Sequence, residues 1–314
     1  MEPNFFIAGA PKAGTTSFYH QLDRHPQIYM SPIKEPCYFA SELRLENFRE
    51  ELQPQLRRES EALREYLRGP MTSKRFGGPV VEWEDYMLLF RNVRGETAVG
   101  EASVSYLWSQ TAARNIASRI PDARIILLLR NPVDRAFSQY LQAVSSGLVC
   151  ASFRELSAAS MTSSSRKFGI LNPFLEFGAY CEQVKRFLDV FPRRNLMVHI
   201  YEDMRSNPAQ AMEETFRFLG VNHELAPDAS MRFMEPQVPR LISSGFRLKK
   251  YGIWQTTARL IPESLRPALR RAVNRPRASL TVAAEDRAYL QAYYREDISK
   301  LEHLLNRDLH FWLG

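Results

Sequence analysis

The stretch Asn4-Phe-Phe-Ile-Ala-Gly9-Ala-Pro-Lys12-Ala-Gly14-Thr15-Thr16-Ser17 decides the fold. It opens on a short apolar run that stops at glycine, the pattern of a strand buried on both faces of a parallel sheet. Beyond the turn at 10–14, the spacing of Phe18, Tyr19 and Leu22 predicts a helix closing near His25-Pro26. A strand, a glycine-bounded turn and a helix N-terminus bring backbone N–H groups and the positive helix end to one point, where a phosphate is stabilised. Against the triphosphatase loop G-x-x-x-x-G-K-[ST], Gly9 and Gly14 match both glycines and Thr16 the hydroxyl. The lysine does not match. Thr15 stands in its place and the loop's cation is Lys12, aimed at a different bond.

Working outward, Ala123-Arg-Ile-Ile-Leu-Leu-Leu129 reads as a central strand, ended by Arg130-Asn131-Pro132. Pro132 suits the first position of a helix reaching about Ser146. Thr97–Gly100 and Leu196–Tyr201 read as further strands, and Phe177–Val190, Pro208–Leu219 (closed by Gly220) and Ala284–Leu305 as helices. Strands alternating with helices predict an α/β fold, a mainly parallel central sheet with helices on both faces. No repeat or linker divides the chain, so a single domain over 1–314 is expected. Residues 41–70, dense in Glu, Arg and Leu, read as an exposed helical excursion, and Ser-rich 157–167 as a mobile loop. The apolar tail after Asp308 is expected to dock on the body.

The chain has 314 residues, 45% hydrophobic and 25% charged, with net charge +7. That balance suits an anionic ligand without naming it. Residues 230–277 hold eleven Arg or Lys against two Glu, an excess above that of the whole chain, and read as a solvated basic surface or a flap that attracts an anion. Cys37, Cys150 and Cys181 are odd in number with no C-x-x-C pairing, as expected of thiols in a reducing compartment. Neither a signal peptide nor a run of ~20 apolar residues is visible, so a cytoplasmic protein is expected.

The loop around Lys12 resembles the 5′-phosphosulfate loop of the sulfotransferases that use 3′-phosphoadenosine 5′-phosphosulfate (PAPS). A second signature of that family, a strand ending in Arg with Ser eight residues later, is present as Arg130 and Ser138. Lys34-Glu35-Pro36-Cys37-Tyr38-Phe39 resembles the K-E-P-x-x-F segment of the heparan-sulfate-type and many bacterial members. The resemblance implies a three-layer, P-loop-like fold and transfer of a sulfuryl group from PAPS to a hydroxyl or amine. It implies that Lys12, Ala13, Gly14, Thr15, Thr16 and Ser17 hold the 5′ side, with Lys12 at the bridging oxygen. Arg130 and Ser138 would hold the 3′-phosphate, and Glu35 would be the general base. Arg130 at a strand's C-terminal end is where open α/β sheets bind ligands, and a guanidinium fork with a hydroxyl suits a phosphate dianion. Lys34, Glu101 and Tyr106 are expected on the acceptor side, though core packing explains Glu101 and Tyr106 nearly as well. The family's late Arg-Lys-Gly triplet is missing, and Arg240, Lys249 or Lys250 would have to replace it. The histidine-based branch is disfavoured, since no histidine occurs between His25 and His199.

Variable stretches at 41–95 and 230–280 leave the acceptor open among glycan, glycolipid, metabolite and polyketide. No metal is expected, nor a nucleic-acid partner. A P-loop kinase or hydrolase is the rival reading. It needs Lys after Gly14 and a carboxylate at a strand end for Mg²⁺, where this chain has Thr15 and Arg130. A non-catalytic polyanion binder leaves both phosphate signatures unexplained.

Overall fold

The computed structural model describes residues 1–146, 148–149, 151–162, 173–225 and 280–314, with the backbone alone of 237–239 and 274–276. In chain order the elements are β1 Phe5–Gly9, α1 Thr15–Leu22, β2 Ile28–Met30, β3 Ile33–Lys34, α2 Gln53–Arg68, β4 Arg75–Phe76, α3 Trp83–Leu88 and β5 Ala98–Ala102. They continue with α4 Ala112–Arg119, β6 Arg124–Leu129, α5 Pro132–Ser145, α6 Phe153–Thr162, α7 Tyr180–Leu188 and β7 Leu196–Ile200. The rest are α8 Tyr201–Ser206, α9 Pro208–Leu219, β8 Gln237–Pro239, β9 Asn274–Pro276 and α10 Ala284–Leu305.

Five parallel strands form the main sheet in the order β2-β5-β1-β6-β7. The chain leaves β1 toward β2, whereas β5 and β6 on either side of β1 send it the other way. Such a reversal opens a crevice at the C-terminal strand ends. Every residue of β1 and β5 is buried, as are Ile125–Leu129 of β6, which explains the uninterrupted apolar character of β1 and β6. Trimming Leu127 to Ala would cost about 2–5 kcal/mol. Gly9 admits no side chain, because a Cβ there would lie 2.5 Å from the Cβ of Leu107.

Local chemistry sets the helix starts that matter for the site. The Asn131 side chain accepts the N–H groups of Val133 (3.0 Å) and Asp134 (3.4 Å), and Pro132 takes the first position of α5. Gly14, at φ 86°, begins α1 with no capping side chain.

Three expectations need correction. Residues 157–162 are not loop but the second half of α6, with Ser157 buried, while 163–167 lie outside the described residues. The strand expected over Thr97–Gly100 runs instead from Ala98 to Ala102, two residues past Gly100, which buries Glu101 in the sheet. The excursion at 41–70 has only two short 3-10 turns before it becomes α-helical at Gln53, and Leu63 and Leu67 are the buried anchors of that helix. In the basic stretch, the backbones of β8 and β9 pair antiparallel and β8 runs alongside α5. Cys37 and Cys181 are buried free thiols, and Cys150 lies outside the described residues. No helix among the described residues is long and apolar enough to cross a membrane.

Candidate active site

At the end of β1 the chain turns sharply, with Lys12 at φ 69° and Gly14 at φ 86°. The N–H of Ala10 donates to the Leu128 carbonyl (2.7 Å), tying the turn to β6. The first N–H groups of a helix have no partner within it, and Gly14 supplies no side-chain cap for those of Thr15, Thr16 and Ser17. Among the described residues, the backbone of α1 thus presents an uncapped positive end beside Lys12. Ala13 and Thr15 are buried, whereas Thr16 and Ser17 are half-buried.

Arg130 leaves β6 directly beside this turn. Its Nη1 donates to the Lys12 carbonyl (3.1 Å), and its guanidinium lies 4.6 Å over the Tyr201 ring at the end of β7. Its Nε–H is buried without a hydrogen-bond partner among the described residues. An unmet charged donor costs free energy that an incoming anion returns. Ser138, buried two turns into α5, and Gln142, one turn further, share a helix face. Gln142 accepts the Lys12 ammonium (2.8 Å). The two strand-end signatures therefore meet in one place.

The turn at 130–132 is clamped from behind. Its Arg130 carbonyl accepts the Tyr180 hydroxyl (2.9 Å), and Glu202 accepts the N–H groups of Asn131 (3.0 Å) and the Trp312 indole (3.3 Å). The Asn131 amide donates to the Trp312 carbonyl (3.2 Å), so the C-terminal tail docks on the Arg130 turn. Burial raises the Glu202 carboxyl above its ordinary value.

Across the crevice, residues 34–39 run beside the end of β5. The Glu35 N–H donates to the Ala102 carbonyl (2.8 Å), and its Oε2 accepts the Val104 N–H (2.8 Å). Its Oε1 accepts the Lys34 ammonium, which lies 5.4 Å over the Phe76 ring. Glu35 keeps 22% of its side-chain surface and Lys34 only 3%. A carboxylate with one open edge has room for an acceptor proton. Lys34, expected to touch the acceptor, is covered and reaches the crevice only through Glu35.

Glu101 and Tyr106 are fully buried, which places them behind the crevice wall and not on its surface. Glu101 accepts the hydroxyls of Tyr106 (2.6 Å), Ser103 (2.8 Å) and Tyr86 (3.3 Å). Burial raises this carboxyl from 4.5 to about 7, the hydroxyls hold it down, and the charge of Glu35 adds to the rise.

His25 and His199 have structural partners. His25 meets the Asn222 carbonyl (2.8 Å) and the Gln27 N–H (3.2 Å). His199 meets the Thr215 hydroxyl (2.8 Å), and burial lowers it to about 4. Arg240, Lys249 and Lys250 lie outside the described residues. Sequence reasoning missed Gln142 and Tyr201. The first was findable at one helical turn past Ser138, and the second only from the pairing of β6 with β7.

The crystal structure of a sulfotransferase from Alicyclobacillus acidocaldarius aligns over 100% of this chain and 100% of its own, with a TM-score of 0.71 and 30% sequence identity. Human bifunctional heparan sulfate N-deacetylase/N-sulfotransferase 3 is 28% identical over 318 residues, 99% of this chain and 31% of the relative. The Bos taurus N-deacetylase/N-sulfotransferase 2 is 29% identical over 238 residues, 74% of this chain and 24% of the relative. The chain thus spans about a third or less of the length of these curated relatives. The model of the sulfotransferase family matches residues 3–224, more than half of the sequence, and the chain belongs to that family.

Proposed function

We propose that the crevice binds PAPS and transfers its sulfuryl group to an acceptor hydroxyl or amine. The observation that carries this reading is the bond from Arg130 to the Lys12 carbonyl, which joins two separate anion cradles into one site. The residues fit a nucleotide with phosphates at both ends. The uncapped start of α1 and Lys12 suit the 5′ side, and the unmet Arg130 Nε–H with Ser138 suits the 3′-phosphate dianion.

PAPS supplies an activated sulfuryl group on a phosphate leaving group. In the reaction the acceptor oxygen or nitrogen forms a bond to sulfur as the sulfur–oxygen bond to the phosphate breaks. Glu35 takes the acceptor's proton at its open edge. The Lys12 ammonium moves from Gln142 to the departing oxygen and stabilises the charge that grows there. The first-turn N–H groups of α1 hold the phosphate still, so positioning and fixed charge supply much of the acceleration. Products are the sulfated acceptor and adenosine 3′,5′-bisphosphate.

The curated relatives are named for heparan sulfate N-sulfation, which makes an amino sugar the first acceptor to try. The test is incubation with ³⁵S-labelled PAPS and de-N-sulfated heparin, a glycolipid, an aryl alcohol and a hydroxylated polyketide, with mass spectrometry for an added sulfo group. A sulfated product is expected. Tight binding of ATP with Mg²⁺ in place of adenosine 3′,5′-bisphosphate would favour the kinase reading instead.

A further inference from the structure

We infer that Glu101 is a positioning residue for Glu35, acting through the Ser103 and Tyr106 hydroxyls to hold the segment that carries the base. The inference rests on the reading of Glu35 as the base.

The segment needs a support. Glu35 and Cys37 have φ of 70° and 53°, a left-handed conformation that disfavours side chains bearing a Cβ, at about 1–3 kcal/mol each. Four hydrogen bonds from the end of β5 hold it there. Two reach Glu35 itself, at the Ala102 carbonyl and the Val104 N–H. The other two fix the residues beyond it. The Cys37 N–H donates to Ser103 Oγ (2.9 Å), and the Phe39 N–H donates to the Tyr106 hydroxyl oxygen (3.3 Å).

Those last two bonds depend on the direction of two hydroxyls. Each hydroxyl has one proton and two lone pairs. Ser103 gives its proton to Glu101 Oε2 and Tyr106 gives its proton to Glu101 Oε1, leaving both oxygens free to accept the backbone N–H groups. Glu101 is fully buried and has no direct bond to the 34–39 segment, so this orientation is the contribution it makes there. Glutamine keeps its shape but turns one acceptor into a donor. The hydroxyl facing that donor must reverse, and its proton then opposes the Cys37 or Phe39 N–H. One tether is lost and Glu35 drifts from its alignment, where an error of ~1 Å is worth about 10²-fold in rate.

The test compares Glu101→Gln, Ser103→Ala, Glu35→Gln and the Glu35→Gln/Ser103→Ala double variant. Turnover is read as adenosine 3′,5′-bisphosphate released from PAPS, with de-N-sulfated heparin and with water alone as acceptors. Affinity is the Kd of the bisphosphate by calorimetry. Glu101→Gln and Ser103→Ala should each lower kcat about 10- to 100-fold with Kd unchanged. In the Glu35→Gln background, Ser103→Ala should cause no further loss, because the group it aligns is already gone. Wild-type kcat in folded Glu101→Gln and Ser103→Ala, losses that multiply in the double variant, or a raised Kd with intact kcat would each overturn the inference. Full turnover by Glu35→Gln overturns the base itself, and this inference with it. An inactive Glu35→Gln beside fully active Glu101→Gln and Ser103→Ala variants overturns the inference alone.

Discussion

The turn at 10–14 follows β1 and the segment at 34–39 runs beside the end of the neighbouring β5, yet they are built differently. The first presents backbone N–H groups, Lys12 and Arg130, with a charged donor left unmet among the described residues. The second presents one carboxylate whose oxygens are already engaged by Lys34 and Val104 and whose segment is braced from a buried carboxyl. A site for a dianion must keep unspent donors, because the ligand supplies the missing charge. A base must be held in one orientation before the acceptor arrives. On the proposed function, the contrast makes nucleotide binding and proton removal separable.

Four variants can break or sharpen that separation. Glu35→Gln should cut kcat about 10²–10⁴-fold and leave the bisphosphate Kd unchanged. Equal losses in both would merge the two halves. Lys12→Ala should lower turnover about 10²–10³-fold, the usual cost of one charge-stabilising donor, while circular dichroism shows an unaltered fold. Normal turnover would remove the lysine from the chemistry. Arg130→Ala should weaken bisphosphate binding about 10- to 100-fold by calorimetry, with a smaller change in kcat at saturating PAPS.

The smallest effect concerns stability against pH. The folded-state carboxyl of Glu101 sits near 7, against an ordinary 4.5. Its protonated form therefore favours the folded chain, and this contribution is full below about 4.5 and lost as pH rises toward 7. Glu101→Gln cannot ionise. Denaturation from pH 4.5 to 8 should show the wild type losing up to about 3 kcal/mol relative to the variant, then running parallel above pH 8. Parallel curves throughout would mean that Glu101 is not held near neutrality.

Much of the donor half was legible in the chain. Apolar runs ending in Gly9 and Arg130 mark buried parallel strands, and Gly14, Asn131 and Pro132 mark helix starts, all through local backbone chemistry. Tyr201 could not be read this way, since it meets Arg130 only because β7 pairs with β6. The acceptor half was less legible. Glu101 and Tyr106 look like cleft residues in a polar stretch, yet Glu101 is buried where two further strand residues pair beside β1, and Tyr106 is buried in the turn beyond, bonded to it.

Sequence alone determined the α/β class and marked β1, β6 and the helices that follow them, because each depends on residues within a few places of one another. Tertiary structure decided which side chains stay open and which are covered. It brought Lys34 under Glu35, Gln142 to Lys12, and two hydroxyls from the end of β5 to the backbone at 37 and 39. Those contacts join residues far apart in the chain, and burial at each is set by what packs over it and not by its neighbours in sequence.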